Sequence, residues 1–262
     1  MAGANSRISE DDTAIDRELA YYEKAYSSHI PELFAQPAVV RFREYLVSRI
    51  LAATGAGRQS RVLSIGCGIG DTELLLARHV GHVTAIDLSP SAIERARRTA
   101  SEKGVENVRF ICGRWPITEL SGGPFDIVVA VFFLHHLAPA DLALFPAQAA
   151  ARLGGGGTLY ALDPSARRLS GFLGQILVPK LMKKYQTDDE HPLSAAATRL
   201  LFRRGGFEAR TEWLDFISTP LAGLFPSWRT GYTFTRFLDD GLTRIPLVRS
   251  LSSNFELIAR LP

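Results

Sequence analysis

The chain has 262 residues, of which 46% are apolar and 22% charged, and this ordinary globular balance excludes disorder as its main state. Its longest apolar run, residues 127–134, is far shorter than the roughly 20 residues that a membrane-spanning helix needs. The net charge of +3 is small and the basic residues are dispersed, so the sequence does not indicate a nucleic-acid-binding surface.

The N-terminal part, residues 1–57, is predicted to be a helical cap on one larger domain, residues 58–262. Residues 1–12 are polar and lack the pattern of a secretory signal, so we expect a cytoplasmic protein. The two cysteines lie in apolar segments and lack the spacing of a zinc site or a disulfide framework. We therefore expect no metal site.

The middle of the chain alternates short apolar runs with helical patterns, which is typical of a parallel sheet covered by helices on both faces. One helix is predicted to begin at Ser89 and Pro90, a capping residue and a proline suited to the first helical position, and to end at Gly104. A second is predicted from about Pro139 to Leu153, ending at four glycines, residues 154–157. The predicted strands are Val62 to Ile65, Val83 to Asp87, Val108 to Cys112, Phe125 to Val131 and Thr158 to Asp163.

After residue 163 this alternation is interrupted by two long segments, residues 164–194 and 217–250, that are rich in large apolar side chains. We expect them to form a lid over a hydrophobic substrate. Contact with a membrane surface and simple packing on the sheet are the alternatives. The other elements predicted here are a helix from Ser194 to Arg204 and strands from Ala209 to Phe216 and from Ser253 to Arg260.

The most informative local pattern is a buried strand followed by Gly66, Gly68 and Gly70 and then by a helix. Glycines let the backbone turn tightly and approach a ligand where a Cβ would collide. Asp87 ends the next strand, where a carboxylate can accept hydrogen bonds from both hydroxyls of a ribose. The pattern indicates an adenosine cofactor, and its third glycine comes one residue too early for the dinucleotide-binding pattern.

Four features together resemble the ordered motifs of the class I S-adenosylmethionine-dependent methyltransferases, of the type that acts on small molecules. They are the glycine segment from Val62 to Gly70, Asp87, the strand from Phe125 to Val131 with the histidine pair after it, and the segment from Leu153 to Leu159. The resemblance implies a Rossmann-like, doubly wound α/β sheet of seven strands whose last strand is antiparallel. It also implies S-adenosyl-L-methionine as the cofactor.

The same resemblance implies roles for the residues around the glycine loop. Gly66 and Gly68 lie under the methionine part of the cofactor in this scheme, Asp87 binds the ribose, and Leu88 lies against the adenine. Tyr21, from the helical cap, closes over the site. The implied cofactor-binding residues are Gly66, Cys67, Gly68, Gly70, Asp87, Leu88, Arg114, Trp115, Val131 and Tyr21.

The sequence departs from the family pattern at two places. Ser64 replaces the usual acidic residue of the first strand, and we expect Asp71 or Glu73 to take over its role. The usual Gly-Asp after the third strand is Gly-Arg, and we expect the backbone near Arg114 and Trp115 to contact the adenine edge.

The predicted catalytic residues are His135, His136 and Asp163. The histidines follow the fourth strand and the aspartate ends the fifth, at the sheet edge where such folds bind ligands. Histidine titrates near neutrality and suits removal of a proton from a methyl acceptor. Asp163 is expected to orient a histidine or to bind the acceptor, and a packing or capping role is the alternative for either histidine.

We expect the acceptor to be a hydrophobic small molecule, such as a lipid, a quinone or a natural-product precursor. Its predicted contacts are Tyr22 and Tyr26 of the cap and Phe225, Trp228 and Phe234 of the later segment. The sequence lacks the motifs of enzymes that methylate nucleic-acid bases or protein arginines. The alternatives are a non-catalytic S-adenosylmethionine-binding protein and, against the glycine spacing, a nicotinamide-dependent oxidoreductase. The methylated atom and the oligomeric state stay open.

Overall fold

The computed structural model describes residues 10–118, 120, 122–172 and 192–262. The helices within these ranges are α1 (Glu10–Tyr26), α2 (Ile30–Phe34), α3 (Pro37–Thr54), α4 (Asp71–Leu76), α5 (Pro90–Glu102), α6 (Pro139–Ala150), α7 (Ala195–Arg204), α8 (Ser218–Leu224) and α9 (Arg229–Leu242). The strands are β1 (Arg61–Ile65), β2 (His82–Asp87), β3 (Val108–Cys112), β4 (Phe125–Val131), β5 (Leu153–Pro164), β6 (Glu208–Asp215) and β7 (Asn254–Arg260).

The seven strands form one sheet in the order β3-β2-β1-β4-β5-β7-β6. Strands β1 to β5 pair in parallel, and β7 is antiparallel to both of its neighbours, β5 and β6. The predicted Rossmann-like fold with an antiparallel last strand is confirmed. The strand order reverses between β1 and β4, which is the place where open α/β sheets bind their ligands.

Helices cover both faces of the sheet, as the nearly continuous burial of its central strands requires. On one face, Leu46 of α3 and Ile93 of α5 pack with Val62 of β1. On the other face, Phe145 of α6 and Phe202 of α7 pack with the next residue of the strand, Leu63. Successive residues of a strand point to opposite faces, so both sides of β1 are buried.

The prediction that residues 154–157 end a helix is wrong. Helix α6 stops at Ala150, and the four glycines lie inside β5, which begins at Leu153. The pairing of β5 with β4 shifts register after Phe125, and a Cβ on Gly157 would lie only 2.9 Å from the Gly154 carbonyl oxygen. The glycines therefore allow an irregular, tightly bent start to the strand.

The segment 217–250, for which the sequence shows no strand pattern, contains α8 and α9. These helices pack on each other and on α3, and α9 also packs on β6. The structure describes the segment 164–194 only at its two ends, and residues 173–191 lie outside the described residues. The role of that segment as a lid stays a prediction.

An ion pair fastens α3 to the sheet. Arg49 Nε donates to Glu256 Oε1 at 3.0 Å, and its Nη2 bonds both Glu256 and Glu212. The Tyr160 hydroxyl donates to the same Glu256 carboxylate at 2.5 Å. Glu256 is fully buried, so these donors replace the water that its charge loses on folding.

None of the helices in the described ranges has the length and apolar character that crossing a membrane would require.

Candidate active site

A cavity of about 1030 Å³ lies at the carboxyl ends of β1, β2 and β4, where the strand order reverses. Ligand sites usually occupy about 300 to 1,000 Å³, so this volume suits a cofactor together with an acceptor. The predicted site residues that line it are Gly66, Cys67, Gly68, Asp87, Leu88, Arg114, Trp115, Val131, Tyr22, Tyr26, His135 and His136.

The glycine loop after β1 forms one wall of this cavity. Gly66 and Gly68 have φ angles of 73° and 52°, in the left-handed region that favours glycine. A Cβ on Gly66 would lie 2.4 Å from a ring carbon of Phe133, and one on Gly68 would lie 2.8 Å from the Tyr26 hydroxyl. Both positions therefore require glycine, for conformation as well as for space.

Asp87 connects the glycine loop to the end of β2. Its Oδ2 accepts a hydrogen bond from the Gly68 amide at 2.6 Å, and its Oδ1 accepts one from the Ser89 amide at 2.9 Å. The carboxylate is thereby fixed in orientation on the cavity wall, and its binding to a ribose stays a prediction.

Gly70 and Tyr21, two of the residues predicted to bind the cofactor, are not part of the cavity lining. Gly70 is the N-cap of α4, and a Cβ there would lie 2.6 Å from the Phe110 ring, so this glycine permits close helix-to-sheet packing instead. The ring of Tyr21 packs edge-on against Tyr22, with centroids 5.1 Å apart.

Glu73 of α4 contacts the serine that stands at the usual acidic position of β1. Ser64 Oγ donates to Glu73 Oε1 at 2.7 Å, and Glu73 is both buried and part of the cavity lining, whereas Asp71 is not. Burial raises the pKa of Glu73 to about 7, although the Ser64 hydrogen bond opposes the shift. Of the two predicted substitutes for the acidic residue, the structure therefore favours Glu73.

The wall after β3 combines an exposed and a buried side chain. Arg114 is exposed and lies 3.6 Å from the Asp141 carboxylate. The Trp115 ring is buried against Phe145, and its indole nitrogen donates to Gln148 at 2.9 Å. Since the ring is engaged in the core, the backbone of this segment is the part available to a cofactor, and its contact with the adenine edge stays a prediction.

His135 and Asp163 form a buried pair at the sheet edge. The His135 Nδ1 lies 2.8 Å from Asp163 Oδ1, which also accepts from the His135 amide at 3.2 Å. Burial raises the pKa of Asp163 to about 8, opposed chiefly by the His135 backbone hydrogen bond. Because Nδ1 is engaged by the carboxylate, Nε2 is the nitrogen through which His135 would act on an acceptor.

His136 faces the helical cap. Its Nε2 lies 3.4 Å from the Tyr22 hydroxyl, and its ring centroid is 4.0 Å from that of His135. Tyr22 in turn stacks on Tyr26 at a centroid distance of 5.6 Å. Glu23 on the same helix bonds the Ser89 hydroxyl, so α1 is held against the mouth of the cavity. Tyr22 and Tyr26 both line the cavity, and their contact with an acceptor stays a prediction.

A strained residue precedes the histidines. Phe132 directly follows β4 and has a φ of 53°, where a bulky side chain costs about 1 to 3 kcal/mol. Its amide donates to the Leu162 carbonyl at 2.7 Å, so the sheet holds this conformation in place. The reversal leads into the short 3-10 turn Leu134–His136, which turns both histidines toward the cavity. No sequence signal predicted this turn.

Comparison with known proteins agrees with this geometry. The profile of the family described as "Methyltransferase domain" matches residues 62–157. A ubiquinone biosynthesis O-methyltransferase from Xylella fastidiosa is 30% identical over 175 residues, which cover 66% of this chain and 68% of that protein. The chain belongs to the class I S-adenosylmethionine-dependent methyltransferases.

Two other similarities cover less of the sequence or support only the fold. A 23S rRNA (uracil(1939)-C(5))-methyltransferase from Methylococcus capsulatus is 34% identical over 79 residues, or 27% of this chain, and the chain spans only 18% of its length. The structure of magnesium protoporphyrin IX methyltransferase from Synechocystis with bound S-adenosylhomocysteine superposes with a TM-score of 0.63. It is 17% identical and covers 96% of this chain and 100% of that protein, so it supports the fold alone.

The site of this methyltransferase fits S-adenosylmethionine. Gly66 and Gly68 place no side chain between the loop backbone and the cavity. The fixed Asp87 carboxylate is suited to ribose hydroxyls. The buried Glu73 carboxyl gives the same wall a polar group next to the glycine loop. These groups would hold the cofactor, which supplies an activated methyl group on a sulfonium sulfur.

The predicted substrate contacts in the segment 217–250 are wrong. Phe225, Trp228 and Phe234 are exposed and do not line the cavity, because α8 and α9 turn these side chains outward. From that segment, which the structure describes throughout, only Thr219 and Pro220 of α8 reach the lining.

Several residues of this methyltransferase reach the cavity without having been predicted. Arg43 of α3 bonds the Thr72 hydroxyl at 3.1 Å, and its guanidinium lies 4.7 Å from the centroid of the Phe34 ring. The further lining residues at the ends of the segment 164–194 are Pro164, Arg168, Ser170 and Pro192. Arg43 lies in a helical pattern where a charged residue is expected to face solvent, so no sequence signal indicated that it lines the cavity.

Proposed function

We propose that this methyltransferase transfers a methyl group from S-adenosylmethionine to a hydroxyl oxygen of a hydrophobic small molecule, with His135 as the base that removes the hydroxyl proton. The observation that carries the proposal is the buried His135–Asp163 pair, in which His135 lines the cavity that Asp87 also lines and Asp163 lies behind it. A hydroxyl must lose its proton as it is methylated, and a positioned histidine typically contributes about 10² to 10⁴ in rate.

The pair suits this task electrostatically. Asp163 holds the His135 ring through Nδ1, so the ring presents Nε2 in a fixed orientation. As Nε2 takes up the acceptor proton, positive charge forms on the imidazole 2.8 Å from the carboxyl group of Asp163. Nε2 can accept that proton only while Nδ1–H donates to an ionised Asp163, the form that predominates above the raised pKa of this carboxyl, about 8. The ionised carboxylate then stabilises the imidazolium.

The apolar character of the acceptor is supported by the other walls. Phe132, Phe133 and Leu137 line the cavity beside the histidines, and Ile30 and Phe34 line it from α2. Such a surface favours an aromatic or alkyl body over a charged one. The similarity to a ubiquinone biosynthesis O-methyltransferase adds support for transfer to oxygen, the atom which that protein's name specifies.

The test is S-adenosylhomocysteine formation with two matched series of acceptors, alkyl catechols and alkyl anilines carrying the same chains. We expect methylation of the catechols, with kcat/KM rising as the chain lengthens, because each buried methylene contributes about 0.8 kcal/mol. Methylation of the anilines alone would refute the base role. Cofactor binding without turnover on either series would instead favour a non-catalytic binding protein.

A further inference from the structure

Helix α9 buries the charged residues Arg236 and Asp239 and leaves the large apolar residues Phe234 and Phe237 exposed. Asp239 is fully buried and accepts hydrogen bonds from the amides of Ile217 and Ser218. Arg236 is buried with its guanidinium 4.7 Å from the Tyr45 ring centroid. Amphipathic helices of globular proteins usually pack in the opposite sense, with the charged side toward water. The inward side of α9 therefore docks through hydrogen bonds as well as through the buried Tyr232 ring, and several of its large apolar side chains stay exposed.

That apolar side is strongly exposed. Phe237 is 74% exposed, and Phe234 and Leu238 on the same side of the helix are exposed as well. Large apolar residues next to α9 in the chain are exposed too, among them Leu247 at 89%. We define the α8–α9 face by its exposed apolar residues, which are Ile217, Leu224, Phe225, Trp228, Phe234, Phe237, Leu238, Ile245 and Leu247.

The charges around this face are almost all positive. Residues 217–253, all of which the structure describes, contain exposed arginines at positions 229, 244 and 249. The one exposed carboxylate of that range is Asp240, which pairs with Arg236 at 2.9 Å. A cleft of about 620 Å³ beside α9 is lined by Arg244, Arg249 and Arg199 of α7, and the two carboxylates in its lining, Glu212 and Asp240, are each paired with another arginine. The face therefore combines aromatic side chains with an arginine rim, which is complementary to anionic phosphate groups above an apolar layer.

The α8–α9 face is also connected to the active-site cavity. Thr219 and Pro220 of α8 line that cavity. Ser253, another lining residue, shares a hydrogen bond with the Ser170 hydroxyl at 2.7 Å and donates to the Phe216 carbonyl, next to Ile217 of the face.

We propose that the α8–α9 face is a membrane-binding surface that rests on the headgroup region of a bilayer containing anionic lipids. The aromatic side chains insert between the lipids, and the arginines at positions 229, 244 and 249 bind lipid phosphates. A second copy of the chain is a poorer occupant, because a two-fold interface would bring the same arginine rims together. This binding requires neither acceptor nor turnover, so its test is separate from that of the proposed function.

The experiment is co-sedimentation of the full chain with vesicles of phosphatidylcholine alone and of phosphatidylcholine with phosphatidylglycerol in equimolar amounts. We expect stronger partition onto the anionic vesicles, which salt weakens. Phe234→Glu and Phe237→Glu should each reduce partition onto the vesicles about tenfold or more, because a charged carboxylate replaces a ring that inserts into the lipid. Arg244→Gln with Arg249→Gln should reduce partition onto the anionic vesicles only.

The matched control is Leu144→Glu, at a comparably exposed apolar residue of α6, which packs on β5 and α7. This variant should partition like the wild type, and unchanged thermal unfolding should show that all variants fold. Failure of the wild type to bind either vesicle would overturn the proposal. So would a dimer in sedimentation velocity that Phe234→Glu dissociates while vesicles have no effect, since the face would then belong to a second copy.

Discussion

Replacing Glu73 by glutamine should change how the stability of the fold depends on pH. Burial raises the pKa of this carboxyl from 4.5 to about 7. Between these values the folded protein keeps a proton that the unfolded chain has lost, so the free energy of unfolding falls as pH rises through this range. Each pH unit costs up to about 1.4 kcal/mol, so the full interval amounts to about 3 kcal/mol.

The Glu73→Gln variant has no such titration but keeps an oxygen that can accept the Ser64 hydrogen bond. We expect it to gain stability relative to the wild type as pH rises from about 4.5 to 8, by up to about 3 kcal/mol. Urea unfolding followed by circular dichroism at several pH values measures this difference. Glu32→Gln, at an exposed carboxylate of α2, is the control and should run parallel to the wild type. A stability difference between Glu73→Gln and the wild type that stays constant or shrinks with rising pH would refute the reasoning.

Two further predictions concern the cofactor site and the anchor of α3. S-adenosylmethionine at a hundredfold excess over its Kd should stabilise the fold by about 2.7 kcal/mol, whereas nicotinamide dinucleotides should have no effect. Asp87→Ala should remove most of the melting shift, and an undiminished shift would contradict the role of this carboxylate. Arg49→Met should lower the free energy of unfolding by about 3 kcal/mol, because it leaves the buried Glu256 charge without its partner. Recovery of stability in Arg49→Met with Glu256→Gln would confirm that cause, and an unchanged denaturation midpoint in the single variant would contradict it.

The sheet and the cofactor side of the site were predictable because their constraints are local in sequence. Gly66 and Gly68 follow a buried strand at the spacing that the turn requires, and Asp87 ends the next strand. In a parallel sheet the strand order then brings these residues to one edge, whatever the rest of the chain does. Strand β3 and strand β4 accordingly have the predicted bounds.

The acceptor side could not be predicted as well, because it depends on how helices pack rather than on strand order. The aromatic residues of the segment 217–250 were expected at the cavity, but α9 docks through the buried Asp239 and Arg236 instead. A sequence pattern shows that a helix has an apolar side and not which way that side faces. The positive φ of Phe132, which turns the histidines toward the cavity, is likewise a tertiary effect.

The most direct test of the account is transfer of an isotopically labelled methyl group from S-adenosylmethionine to an alkyl catechol by the wild type and by Asp163→Asn. The account predicts labelled methyl ether from the wild type. It also predicts that Asp163→Asn binds the cofactor with nearly unchanged Kd while kcat falls about a hundredfold or more, because the His135 ring loses the partner that orients it. Equal transfer rates in the two proteins, or labelled product on an amine but never on a hydroxyl, would contradict it.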